Sequence, residues 1–146
     1  MDIVQDVGNL VDIKSKTVTH IVASHVLEHF PHPETVRVLG EWFRVLAPSG
    51  NLYVAVPDFE RAMDLYRMVG FNRWLEEFVV GGQEYETAFH YALFTESKLR
   101  DLLDYVGFKD IKRVEALPVH AVGDCSSLVS KYDNKRISLN MTAVKP

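Results

Sequence analysis

The chain has one cysteine, Cys125, among 146 residues. One thiol can close neither an internal disulfide nor a cysteine-rich zinc site, so a small disulfide scaffold is excluded and a reducing, cytoplasmic setting is expected. Uninterrupted apolar runs of about 18 residues are also missing, as is a charged start leading into an apolar stretch and a small-residue cleavage site. Neither a membrane span nor a signal peptide is therefore expected. Dense clusters of Lys and Arg are absent too, and the formal net charge is −4. That removes the usual electrostatic footprint of nucleic-acid binding. The small groups Lys109, Lys112, Arg113 and Lys131, Lys135, Arg136 read as solvated surface. The eight glycines are scattered, and no G-x-G occurs. A backbone cradle for a phosphate or nucleotide, which needs closely spaced glycines, is thus not encoded in this stretch.

What is present is an apolar content of 47%, enough for the core of one ordinary domain. Thr17 to Ser24, TVTHIVAS, is β-branched and apolar and reads as a buried strand. Glu34 to Ala47 repeats Val36, Leu39, Trp42, Phe43 and Leu46 at helical spacing, with Pro33 at its entrance and Pro48, Ser49 and Gly50 as its stop. Asn51 to Pro57, NLYVAVP, suits a central parallel strand, which completes a right-handed βαβ unit. Residues 59–80 carry two helical patterns split by Gly70 and closed by Gly81 and Gly82. With the segment up to Phe94 they form an aromatic-rich cap. Thr95 is an N-cap for a helix whose stripe of Leu99, Leu102, Leu103 and Val106 ends at Gly107. Phe108 to Leu117 can form a strand, 118–135 reads as an irregular insertion, and Ile137 to Lys145 alternates as a final strand. The fold class is α/β, in a single domain.

Within the first of these connections lies HVLEH, His25 to His29, which spells the H-x-x-E-H signature of a group of zinc peptidases. That chemistry needs both imidazoles and the glutamate on one continuous helix. A strand leads directly into His25, and Pro31 and Pro33 follow, so the helix is not expected. His25, Glu28 and His29, with His90 from FHYALF, remain candidates for proton transfer, because an imidazole titrates near neutrality. His20 inside a strand and His32 between prolines are poorer candidates, and His120 lies in the insertion.

The segments DVGNL from Asp6, THIVASHVLEHF, EWFRVLAPSGNLYVAVPD and LLDYVGF together resemble the later two-thirds of a class I S-adenosylmethionine-dependent methyltransferase of the type 11 group, which includes small-molecule and glycan methyltransferases. The resemblance runs from about residue 2 to the end. It implies a Rossmann-like sheet of parallel strands with one antiparallel C-terminal strand and flanking helices, lacking the family's first strands and glycine loop. It also implies that Asp6 reaches the adenine of the cofactor and that Ala23, Ser24 and His25 line its methionine end. His25, Glu28, His29 and His90 would then face the acceptor. Some relatives hold a divalent metal with E-x-x-E-H. Here His25 replaces the first glutamate, so a mixed nitrogen and oxygen metal site formed by His25, Glu28, His29 and His90 is an open alternative. Ser49 stands where the family usually has glycine.

Expected from this is S-adenosylmethionine-dependent methyl transfer to a small-molecule or sugar acceptor, with weak or no cofactor binding by this chain alone. The alternative is a degenerate, non-catalytic interaction module. Without the family's first strand the strand 17–24 becomes a sheet edge, and exposed apolar edges recruit partners. Either Asp2 to Val7 fills that place or two copies pair there as a homodimer.

Overall fold

Strand β1, Val18–Ser24, and strand β2, Leu46–Pro57, run parallel with Ile21 opposite Leu52 and Ser24 opposite Ala55. The computed structural model describes residues 6–118 and 125–146. Helix α1, Thr35–Val45, connects the two strands and buries Val38, Leu39, Trp42 and Val45; of the expected stripe Leu39 and Trp42 are buried within it, while Val36 and Phe43 are only half-buried. It is shorter than the expected 34–47. Leu46 is already extended and pairs with Val18, so the strand begins at Leu46 rather than Asn51. Residues 47–50, expected as the last helical residue and its stop at 48–50, instead swell out as a bulge between the pairs Val18/Leu46 and His20/Asn51. Ser49 occupies the left-handed region there, at φ 62°, which explains a preference for glycine at this position. Lys145 holds the junction. Its Nζ donates to the carbonyls of Phe43 and Leu46 at 2.7 and 2.8 Å, satisfying the open end of α1.

Helix α2, Phe59–Val69, and helix α3, Arg73–Val80, match the two patterns of the cap. Each has a polar N-cap: Asp58 Oδ1 accepts from Glu60 N at 3.0 Å, and Asn72 Oδ1 from Leu75 N at 3.1 Å. Ala62, Leu65, Leu75 and Ile137 form a small second core beneath them. Helix α4, Glu96–Val106, is capped by Thr95, buries Leu99 and Leu103, and ends on left-handed Gly107 at φ 116°.

Strand β3, Lys109–Val114, and strand β4, Ser138–Val144, complete a sheet in the order β1-β2-β4-β3. The C-terminal strand enters the sheet between its neighbours and is antiparallel to both, with Val54 opposite Met141 and Val114 opposite Asn140. Both of its faces are covered. Leu139, Met141 and Ala143 join the main core, while buried Asn140 donates to the carbonyls of Glu115 and Ser126, each at 3.0 Å. Those bonds tie the segment after β3 and the short turn Cys125–Ser127 to the sheet. Of the expected insertion, this turn and an isolated Val129/Arg136 bridge are described, while His120 lies outside the described residues.

β1 is an edge strand of the described sheet. Of the segment expected to cover it, residues 2–5 lie outside the described residues, and Asp6 and Val7 are not in a strand. The chain from Val7 onward is instead fastened to α1. Trp42 Nε1 donates to Val7 O at 2.8 Å, Arg37 Nη1 to Gly8 O at 2.6 Å, and Arg44 to Leu10 O and Ile13 O at 2.9 and 3.0 Å. Glu41 Oε1 accepts from Leu10 N at 2.8 Å, and its hydrogen bonds to Arg44 hold its carboxyl below the usual range. Between this segment and β1 lies an apolar hollow of about 210 Å³ lined by Val7, Leu10, Ile13, Ile21 and Trp42. Among the described residues no helix is long and apolar enough to cross a membrane.

Candidate functional site

All four strands present one end to the same edge of the sheet. β1, β2 and β3 finish there at Ser24, Pro57 and Val114, and antiparallel β4 starts there at Ser138, opposite Pro57. In open α/β sheets the edge at the carboxyl ends of the parallel strands is where ligands bind.

His25 is the first residue past β1. Its N–H donates to Ala55 O at 2.8 Å, and its backbone is turned into the left-handed region at φ 53°, an uncommon conformation for a non-glycine residue. The turn aims the chain into a single 3₁₀ turn, Leu27–His29, after which Phe30 is extended and Pro31 follows. The long helix that a zinc-peptidase geometry requires does not form.

The turn buries Glu28 completely. The carbonyl of Glu28 accepts from Tyr91 N at 2.8 Å and Ala92 N at 3.2 Å, which fixes the FHYALF segment over the turn. His90 N in turn donates to Val80 O at 3.0 Å. These backbone bonds bring together residues 62 positions apart, and the four residues proposed from sequence, His25, Glu28, His29 and His90, form one cluster. His25 Nδ1 lies 3.1 Å and His29 Nε2 3.9 Å from Glu28 Oε1. The rings of His29 and His90 meet edge to face at 5.0 Å. One donor atom from each of Glu28, His29 and His90 falls within 4.8 Å of the others.

Hydrogen bonds constrain the protons. His29 Nδ1 stands 2.9 Å from Phe89 O, so Nδ1 carries a proton and Nε2 faces the carboxylate. His25 Nε2 stands 2.8 Å from Ser138 Oγ, whose O–H can donate to Cys125 O at 3.0 Å. With that hydroxyl proton directed at Cys125 O, His25 Nε2 is the donor to Ser138 Oγ. Although His25 is within ion-pair range of Glu28, among the described residues neither Glu28 oxygen has an aligned hydrogen-bond partner, and His90 Nδ1 is likewise buried without one. Burial holds the His90 pKa below its ordinary value, outweighing the opposite pull of Glu28.

The expected cofactor-facing residues take two places. Ala23 is buried at the end of β1, and Ser24 and His25 follow it to the ligand edge. Asp6 starts the described segment and uses Oδ1 to accept from Gly8 N at 2.8 Å, the bond of an ordinary Asx turn. Gly8 is pressed against Phe30, where a Cβ would come within 2.8 Å of the ring. His20 is stacked on Tyr53 within the sheet, and His32 sits in an exposed 3₁₀ turn, so neither joins the cluster.

Sequence reasoning missed Ser138, Asp58, Arg113 and Arg136, all at the same edge. Asp58 is buried. Beyond capping α2, it receives Arg113 Nη2 at 2.7 Å, and Arg113 Nη1 reaches Glu96 at 3.3 Å. Burial by itself lowers the Arg113 pKa, but these two carboxylates outweigh it and leave the pKa raised. Arg113 is exposed, as expected of a surface residue, but it is also engaged by two carboxylates. A signal for Asp58 was available, since an Asp directly after a strand and before an apolar-periodic run is an N-cap at the ligand edge.

A family profile described as a methyltransferase domain matches residues 4–113. Among solved structures, an S-adenosylmethionine-dependent methyltransferase from Archaeoglobus fulgidus is 14% identical with a TM-score of 0.62, over 98% of this chain and 66% of its own. One from Methanosarcina mazei is 23% identical with a TM-score of 0.61, over 97% and 65%. The Burkholderia thailandensis 1,6-didemethyltoxoflavin-N1-methyltransferase, solved with bound 1,6-didemethyltoxoflavin and S-adenosylhomocysteine, is 19% identical with a TM-score of 0.55, over 95% and 48%. The chain spans about two thirds or less of the length of these structures. No curated protein matches it in sequence.

Proposed function

The chain belongs to the methyltransferase-domain family, and on that premise we propose that it serves S-adenosylmethionine-dependent methyl transfer to a hydroxyl or amine of a small-molecule or sugar acceptor, in the cytoplasm. The observation that carries this reading is the convergence of three imidazoles on buried Glu28 at the ligand edge of the sheet. Bound S-adenosylmethionine supplies an electrophilic methyl on a sulfonium. Ala23, Ser24 and His25 at the end of β1 suit its methionine end and Asp6 its adenine, whereas nothing in this sequence corresponds to the glycine loop. Binding by this chain alone is therefore weak. His25 or His90 accepts the proton that the acceptor heteroatom loses as it is methylated, and Glu28 stabilises the imidazolium so formed. Most of the acceleration comes from holding the acceptor in line, a task for the α2–α3 cap, which also selects the acceptor.

Calorimetric titration with S-adenosylhomocysteine, followed by transfer of labelled methyl to a panel of acceptors, tests the reading. Weak binding with detectable transfer supports it. Micromolar affinity would overturn the weak-binding element, and neither binding nor transfer would favour a non-catalytic interaction module. That module is the second reading, and the apolar hollow beside β1, open among the described residues, supports it.

A divalent ion on Glu28, His29 and His90 is supported by a separate observation, the buried carboxylate and His90 Nδ1 lacking hydrogen-bond partners. Nitrogen and oxygen donors of this kind suit Zn, Mn or Fe better than Mg. Titration with each metal, read by calorimetry in the unmodified chain and in His90→Gln, decides it.

A further inference from the structure

Beside the histidine cluster, at the same sheet edge, is a polar pocket of about 270 Å³ lined by Arg113, Val114, Glu115, Arg136 and Ser138. It touches the cluster through one hydroxyl, since Ser138 Oγ is 2.8 Å from His25 Nε2. One carboxylate, exposed Glu115, also lines it, and the arginines around it are unequally matched. Arg113 is neutralised by Asp58 and Glu96. The neighbouring Arg61, which donates to Arg136 O, is neutralised by Asp133 at 2.7 Å. Among the described residues Arg136 has no ion pair, and its buried Nη1 has no acceptor. A guanidinium N–H left in this way is destabilising, and a ligand that brings an acceptor removes the penalty. The fork of an arginine matches the planar oxygens of a carboxylate or phosphate.

We infer that this pocket binds an anionic group, carboxylate or phosphate, carried by the methyl acceptor next to the atom that is methylated, with Arg136 as its principal contact. The inference rests on the methyl-transfer reading for the identity of the ligand as acceptor, but the anion site itself does not. An acid or phosphorylated form of the small-molecule or sugar acceptor is then preferred to its neutral counterpart, because a neutral ligand leaves the arginine fork without a matching anion.

Titration of the nitrogen-15-labelled chain with inorganic phosphate, with acetate and with neutral glycerol, in the absence of cofactor, tests the anion site separately from methyl transfer. Saturable shifts of the Val114 and Ser138 amides with phosphate or acetate, and none with glycerol, are expected, and the tighter of the two anions identifies the group. Arg136→Gln should weaken that binding roughly tenfold or more. Arg136→Lys, which retains the charge without the fork, should weaken it less and serves if the glutamine variant does not fold. No saturable shift with either anion, or equal affinity in both variants and the unmodified chain, would overturn the inference. If anion binding is present but no acceptor is methylated, the anion site stands and the methyl-transfer reading falls.

Discussion

His25 Nδ1 approaches Glu28 Oε1 to 3.1 Å, although Glu28 is wholly buried and His25 belongs to the turn leaving a strand. The pair makes Glu28 a side chain whose charge matters more than its shape. Its backbone carbonyl, not its carboxylate, secures Tyr91 and Ala92. Glu28→Gln should therefore fold with an unfolding midpoint within a few degrees of the unmodified chain, while methyl transfer falls by about 100-fold or more. A radiolabel transfer assay beside a thermal melt checks both halves. A melt that collapses while the specific activity of the folded fraction is unchanged would make Glu28 a structural residue only.

Burial depresses the His90 pKa, so the unfolded chain binds a proton at His90 more readily than the folded one. The sign follows from linkage. The group's contribution to stability is present above its ordinary value of about 6.5 and is lost as pH falls from there towards the folded value. Urea unfolding at pH 7.5, 6.5 and 5.5 should show this loss, and His90→Gln should show a shallower decline over the same window.

Ser49 holds a left-handed backbone, at φ 62°, within the β2 bulge. Ser49→Gly removes a strain of about 1 kcal/mol, part of which is offset by the greater freedom of glycine in the unfolded chain. The net expectation is a melting point unchanged or raised by up to about 4 °C. A fall of several degrees on calorimetric scanning would show that the serine side chain stabilises the bulge.

Val22 is about half exposed, at 47%, on the edge strand β1, beside the apolar hollow. We propose that two copies pair along this edge. Light scattering should give a dimer mass at micromolar concentration and a monomer mass for Val22→Lys, since lysine on an edge strand discourages pairing. A monomer across the accessible concentration range contradicts the proposal.

Much of this fold can be read along the chain, because its cues are local. Leu99 and Leu103 lie one turn apart between Thr95 and Gly107, and each of the four plays the part its spacing suggests. The HVLEH turn is legible for a similar reason, since a strand before it and Pro31 after it leave no room for a long helix. What escapes is polar and long-range. Lys145 looks like an ordinary terminal lysine until its ammonium is found between the carbonyls of Phe43 and Leu46, about a hundred residues away in the chain. Arg113 alternates out of β3 in the way surface residues do, and Arg136 lies just before β4. Only the antiparallel insertion of β4 between β2 and β3 brings them to one pocket beside His25. The site cluster stands between these cases. Its four members were named by chemistry, but the bonds from Tyr91 and Ala92 to Glu28 O that assemble them have no sequence signature.

The fastening of the N-terminal segment to α1 has one more consequence. Arg37, Trp42 and Arg44 grip the main-chain carbonyls of Val7, Gly8, Leu10 and Ile13, and hold none of their side chains by hydrogen bonds. A tether that reads backbone is largely indifferent to spelling. Apart from Gly8, which is pressed against Phe30, residues of the segment can be exchanged while the helix keeps its hold, whereas loss of Arg44 removes two of these carbonyl contacts at once. Tolerance to substitution is thus concentrated on one side of this contact and vulnerability on the other.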